Sequence, residues 1–219
     1  MKAVKSRRPY RSERRKEQAR STRAAIMESA RRLFAERGYT ATTIEAIAAA
    51  AGVAAITVYS VFGSKRRLLA EMIATAVSGD QAPAPVYEQE RARAVLRQPD
   101  QRRQIAGFAD HMWEILERVS PLFEVLDQAS SAESDMAELR RDMLRERLDG
   151  MRVFVRALAA RGRLRPRLTM AGAAETVWAV TAPQLFRLLT RDLGWDRARW
   201  VSWVSATLSA ALLPAGATN

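Results

Sequence analysis

The sequence predicts an all-α protein, and three observations predict it. Apolar residues recur at intervals of three and four along most of the chain. No stretch alternates with the period of two that a half-buried strand needs. Glycine or proline closes the periodic runs, at Gly38, Gly52, Gly63, Gly162, Gly194 and Pro214. With 219 residues of which 48% are hydrophobic, the chain can bury a real core, as one large domain or as a small one joined to a larger.

Composition narrows the function classes. There is no cysteine and only one histidine, which removes disulfides, thiolate metal sites and cysteine nucleophiles. With no phosphate-binding glycine loop and no carboxylates at metal spacing, no catalytic residue, metal ligand or cofactor is expected, and the chain does not look like an enzyme. No apolar run reaches the roughly 18 to 20 residues that span a bilayer, so the expected location is the cytoplasm, with no membrane partner. The net charge of +12 is concentrated at one end: residues 1–70 hold 16 Lys+Arg against 5 Asp+Glu. That asymmetry suggests a polyanion held by the N-terminal third.

The elements follow in order. Residues 1–15 are basic and nearly devoid of large apolar side chains, and are expected as a disordered arm, either solvated or lying along DNA. Ala19, Ile26, Ala30, Leu33 and Phe34 mark a helix over 16–37, with the stem of Arg23 on the same face and Gly38 as its stop. Thr42 with Glu45 has the form of a capping box, Thr43 being an adjacent candidate cap. The helix that follows ends at Gly52. A second short helix, Ala55 to Phe62, ends at Gly63, and Ser64 caps a longer one from Lys65 to about Val77. Residues 79–98, with Pro83 and Pro85, form a linker or short helix over 88–96. Beyond it come a stripe from Ile105 to Val119, a short segment after Pro121, a long helix from Met136 to Leu158, and two last helices, 170–191 and 196–213.

Two short helices joined through one glycine have the form of a helix-turn-helix, which puts its second helix in the DNA major groove. Residues 25–72, AIMESARRLFAERGYTATTIEAIAAAAGVAAITVYSVFGSKRRLLAEM, resemble the DNA-binding domain of the tetracycline-repressor (TetR) family of bacterial transcriptional regulators. The matching residues include Gly38, Tyr39, Thr42, Thr43, Ala51, Gly52, Val53, Thr57, Tyr59, Phe62 and Lys65. The resemblance implies a three-helix DNA-binding domain over 16–63, a connecting helix over 64–78, and a larger helical ligand-binding and dimerisation domain over 99–219.

It also implies backbone phosphate contacts for Thr43, Tyr59 and Lys65; a half-buried ring that packs the third helix on the first is the secondary reading of Tyr59, compatible with the phosphate contact. The base-reading face departs from the family: Ala54, Ala55, Ile56, Thr57 and Ser60 cannot form the bidentate pairs that discriminate guanine or adenine. Readout is therefore expected from contacts of Ala55, Ile56 and Thr57 with thymine methyls and from DNA shape.

For the second domain the resemblance implies a small-molecule pocket, with Phe108, His111, Met112, Phe123, Met143, Met151 and Trp178 as candidate lining residues. Met and aromatic side chains shape adaptable apolar cavities, although any one of them reads more readily as ordinary core, and His111 more readily as a surface or satisfied core residue than as a ligand contact. Residues 173–213 resemble the two family helices that build a four-helix dimer interface. Trp178, Leu185, Leu188, Trp200, Trp203, Val204 and Leu208 are the candidates there, because the two helices carry more apolar surface than one internal seam needs. The expected protein is a homodimeric repressor released from a pseudo-palindromic double-stranded operator by a small hydrophobic or amphipathic molecule. The alternative is a dimeric DNA-binding or architectural protein that answers to no ligand.

Overall fold

The computed structural model describes residues 8–79 and 86–215, and all regular structure among them is helical. The chain divides into two compact units, Met1–Met72 and Ile73–Asn219. The boundary falls inside the connecting helix rather than at either of its ends.

The first unit holds α1 (Arg8–Arg37), α2 (Ile44–Ala51), α3 (Ala55–Phe62) and the start of α4 (Lys65–Ser78). α1 begins at Arg8, inside the segment expected as an unfolded arm; residues 1–7 lie outside the described residues. The reason is cooperativity: once Ile26, Ala30, Leu33 and Phe34 are buried, the helix is nucleated. Arg, Lys, Glu and Gln are good helix formers that extend it at little cost. α2 and α3 cross at 106°, with Ile44, Ile47, Ala48, Val58 and Phe62 in the shared core. Gly52 makes the turn between them at φ 68° and ψ 31°, a left-handed conformation that costs an L side chain free energy and glycine almost none.

Thr42 and Thr43 exchange the roles the capping box gave them. Thr43 is the N-cap of α2, its Oγ1 accepting from the Ala46 amide at 3.1 Å. Thr42 is buried, and its hydroxyl lies 2.7 Å from the Gly38 carbonyl and 3.2 Å from that of Leu33. It therefore ties down the frayed end of α1 instead of starting α2. Ser64 caps α4 as expected, its Oγ accepting from the Arg67 amide at 3.1 Å.

The second unit contains the rest of α4, a 3-10 turn at Val86–Glu88, α5 (Glu90–Arg97), α6 (Gln101–Ala132), α7 (Ser134–Ala159), α8 (Met170–Val180), α9 (Pro183–Arg187) and α10 (Arg197–Leu212). α6 packs against α5, α7, α9 and α10, and α8 packs against α7 and α10. Two expected breaks moved. Pro121 does not end a helix; it lies within α6, between buried Ser120 and Leu122. The lost hydrogen bond is tolerated because apolar packing continues on both sides of the proline, from Ile115 to Leu126. Conversely, the helix expected over 170–191 is interrupted at Thr181–Ala182. Pro183 then occupies the first turn of α9, the position proline favours. A π turn over Leu188–Asp192 leads to Gly194.

Candidate nucleic-acid interface and ligand cavity

α3 presents two faces. Val58 and Phe62 are buried, while Ile56 is 73% exposed and Tyr59 45% exposed. Ala54 and Ser60 are also exposed, and Ala55 and Thr57 partly so. Six of the eight residues expected at the DNA surface thus share the outer side of one turn and helix, and none of these six is charged. A helix with Ile56 as its most prominent side chain can meet thymine methyls but cannot offer a bidentate donor–acceptor pair. Ala54, at the N-cap of α3, makes no side-chain cap bond, so the amide end of the helix is left without a side-chain acceptor.

The remaining two residues frame that surface. Thr43 is exposed, and because its oxygen already accepts from Ala46, its O–H remains the group suited to a phosphate oxygen. Lys65 is part-buried: its Nζ donates to the carbonyls of Tyr39 at 2.9 Å and Thr42 at 3.0 Å. It also stands 4.1 Å from the centroid of the Tyr39 ring. Lys65 therefore closes the loop that leads into α2, a duty the sequence pattern did not suggest. Another pair steadies α3 from behind, where the Arg23 guanidinium lies 4.6 Å from the centroid of the Phe62 ring and pairs with Glu71.

The second unit contains a cavity of about 780 Å³. Its wall is formed by the end of α4 (Ile73, Val77), α5 (Val95, Leu96), α6 (Phe108, His111, Met112, Ile115, Phe123) and α7 (Met143, Met151, Phe154). Phe108 and Phe154 stack there with centroids 3.9 Å apart. Six of the seven candidate lining residues meet at this one cavity: Phe108, His111, Met112, Phe123, Met143 and Met151. Trp178 does not line it. It lies against Arg147, whose guanidinium carbon is 5.1 Å from the indole centroid.

The wall also carries polar and charged residues, among them His111, Glu146, Arg147, Asp149, Arg152 and Arg156. His111 is buried, and among the described residues neither ring nitrogen has a hydrogen-bond partner. Burial, followed by the nearby Arg91, pushes the imidazole below its ordinary value, so it is neutral at pH 7. Arg147 sits in a charged run, RRDMLRERLDGMR, whose composition reads as a solvated face. Its spacing was the available signal: Met143, Arg147 and Met151 follow at four-residue intervals on one side of α7. Desolvation pushes the guanidinium down to about 10.

The expected dimer surface needs correction. Trp200, Val204 and Leu208 are completely buried within the single chain, with Leu212, as the inner stripe of α10. Trp113, Phe186 and Trp200 pack edge to face, with centroid separations of 4.9, 5.8 and 5.4 Å. The high apolar content of α10 was legible, but these three residues are buried inside the single chain, where α10 packs against both α6 and α8. Leu188 is 50% exposed, while Trp178, Leu185 and Trp203 are partly exposed.

A perpendicular pair of short helices with an exposed second helix, joined in sequence to a helical unit that encloses a cavity, defines a helix-turn-helix regulator. Residues 26–72 match the family model of the tetR family of bacterial regulatory proteins. No curated protein matches the chain by sequence. Among solved structures it is similar to SmeT in complex with triclosan, at 25% identity and TM-score 0.68, covering 89% of this chain and 93% of the other. It is also similar to NalD of Pseudomonas aeruginosa, the secondary repressor of the MexAB-OprM multidrug efflux pump (23% identity, TM-score 0.66, 90% and 98% covered). TylP, a TetR regulator from Streptomyces fradiae, shares the fold at 24% identity and TM-score 0.59, with 89% and 88% covered. The chain has the fold of a TetR-family transcription regulator over nearly its whole length.

Proposed function

We propose that the protein is a homodimeric transcriptional repressor that leaves its operator when a small, largely apolar molecule occupies the cavity of the second unit. The observation that carries this reading is the cavity itself. About 780 Å³ lined mainly by aliphatic, aromatic and methionine side chains is within the range of a small-molecule site and far above a packing defect. The similar SmeT structure holds triclosan, which supports the same reading here. The outer face of α3 contacts bases through Ile56 and its small neighbours, and Thr43, Tyr59 and Lys65 contact phosphates. Leu185, Leu188 and Trp203 contribute to a two-fold contact that sets the spacing of the two α3 helices.

The test is linkage between the two sites. Operator fragments obtained by selecting random DNA on the full-length protein are titrated by fluorescence anisotropy, with and without compounds that raise its melting temperature. A compound that stabilises the protein must weaken operator affinity. Compounds that bind and leave operator affinity unchanged would reduce the protein to a ligand-independent DNA binder.

A further inference from the structure

Gly150 stands inside α7, where no turn and no described neighbour requires it. Glycine is the poorest helix former after proline, yet α7 runs unbroken from Ser134 to Ala159. A left-handed backbone or a close neighbour is the usual reason for a glycine. Gly150 is not one of the positive-φ glycines, and among the described residues nothing comes within 4 Å of the position its Cβ would take. Gly107, inside α6, differs, because there the Val95 Cγ2 methyl lies 3.5 Å from that position.

Its surroundings say what the space is for. Met143, Arg147, Gly150 and Phe154 follow at intervals of four, three and four, so they form one stripe of α7, and all four belong to the wall of the cavity. The missing side chain therefore opens a notch on the cavity side, with the peptide groups of α7 as its floor. Those groups are hydrogen-bonded along the helix, so the floor offers contact and no free donor. Beside the notch stand Phe154, stacked on Phe108 at 3.9 Å between centroids, and the thioethers of Met143 and Met151. Ring edges and thioethers favour an aromatic neighbour, and a narrow bare stretch of helix admits a flat body closer than a puckered one.

We infer that Gly150 sets the specificity of this cavity, seating a flat aromatic ring of the effector against the backbone of α7. This rests on the small-molecule reading above and names the class of molecule that reading left open. A ring in that seat fills the volume an ordinary side chain would occupy, and its rigidity keeps the ordering cost of binding low. The charged residues of the wall stay outside the seat. Asp149 and Arg152 pair with each other at 2.6 Å, and both are exposed, as are Glu146 and Arg156. The empty protein is less stable for its glycine, and the occupied one gains the contact.

The experiment compares rings with their saturated counterparts, 2-naphthol with decahydro-2-naphthol and 4-phenylphenol with 4-cyclohexylcyclohexanol, by calorimetric titration and thermal melting of the full chain. In the wild-type protein each aromatic probe should bind at least about fivefold more tightly than its saturated counterpart. Gly150→Ala should melt about 1–4 °C above the wild type when no probe is present. It should nevertheless bind the aromatic probes at least about tenfold more weakly, and no longer separate them from the saturated ones by more than about twofold. A glycine with no ligand role would give the first change without the second. Unchanged aromatic binding by Gly150→Ala would therefore remove the seat and leave the small-molecule cavity standing. Equal binding of flat and puckered probes by the wild type, or equal weakening of both kinds in Gly150→Ala, would overturn the aromatic class. A Gly150→Ala protein that melts lower or does not fold would show the space to be closed and would also sink the inference. Binding of none of the four probes by the wild type would overturn both this inference and the effector reading.

Discussion

Lys65 donates to the backbone carbonyl of Tyr39 at 2.9 Å while its ammonium rests 4.1 Å from the centroid of the same residue's ring. One side chain thus satisfies both a carbonyl and an aromatic face at the turn between α1 and α2. Lys65→Met should destabilise the protein by about 1–2 kcal/mol, the range for losing hydrogen bonds to a charged donor at a part-exposed site. Urea denaturation followed by circular dichroism measures it. DNA affinity should fall in the same variant for every sequence tested. The salt slope should flatten by about one, as the loss of one phosphate contact requires.

Ile56 should show the opposite pattern. At 73% exposure its removal leaves no cavity, so Ile56→Ala should change stability by no more than about 0.5 kcal/mol. Binding-site selection with the variant should lose preference at one base pair while the rest of the consensus survives. Recovery of an unchanged consensus would remove Ile56 from the reading surface.

His111 makes stability depend on pH in a defined direction. Its folded-state pKa lies below the ordinary 6.5, chiefly through burial. The folded state therefore binds this proton less readily than the unfolded chain. Above about pH 7.5 both states are neutral and the group contributes nothing. As pH falls through 6.5 and on to the lower folded value, the unfolded state takes up the proton first and stability drops. His111→Gln should lose less stability than the wild type between pH 7.5 and pH 5.5, measured as paired denaturation midpoints. Identical pH dependence in the two proteins would show that the ring is accessible to water.

Arg167 is the one non-glycine residue with positive φ among the described residues, at 67°. It lies in the loop between α7 and α8, where no helix requires its side chain. A left-handed L residue is strained by roughly 1 kcal/mol, so Arg167→Gly should raise stability by somewhat less, the flexible glycine favouring the unfolded chain in part. Differential scanning calorimetry of the pair is the measurement.

The N-terminal unit was largely legible because its signals are local. Gly38, Gly52 and Gly63 stop three helices where positive φ is needed, and all three show it. Where two adjacent residues could do the same local job, tertiary contacts decided: Thr42 faces the carbonyls of α1, and the cap falls to Thr43. In the second unit, periodicity found the helices but could not say which apolar stripe meets which neighbour. Trp200, Val204 and Leu208 are buried inside one chain, and a single sequence contains no information that distinguishes such an internal seam from one between two chains. Proline has opposite outcomes at Pro121, which α6 runs through, and Pro183, which starts α9, because its effect depends on whether packing on either side outweighs one missing amide. The position of Arg147 is hidden in the sequence for a related reason. A charged residue on an otherwise polar helix is assigned to water unless its four-residue neighbours are inspected, and Met143 and Met151 are those neighbours.

The aromatic trio of Trp113, Phe186 and Trp200 has a practical consequence as an optical label. All five tryptophans of the chain lie beyond residue 100, and the first unit contains none. Intrinsic emission excited at long ultraviolet wavelengths is therefore silent about the helix-turn-helix and reports the second unit alone, with Trp200 completely shielded from water. Superimposing that emission on the total helical signal during denaturation resolves, without any added dye or substitution, whether the two units melt as one cooperative block or in succession.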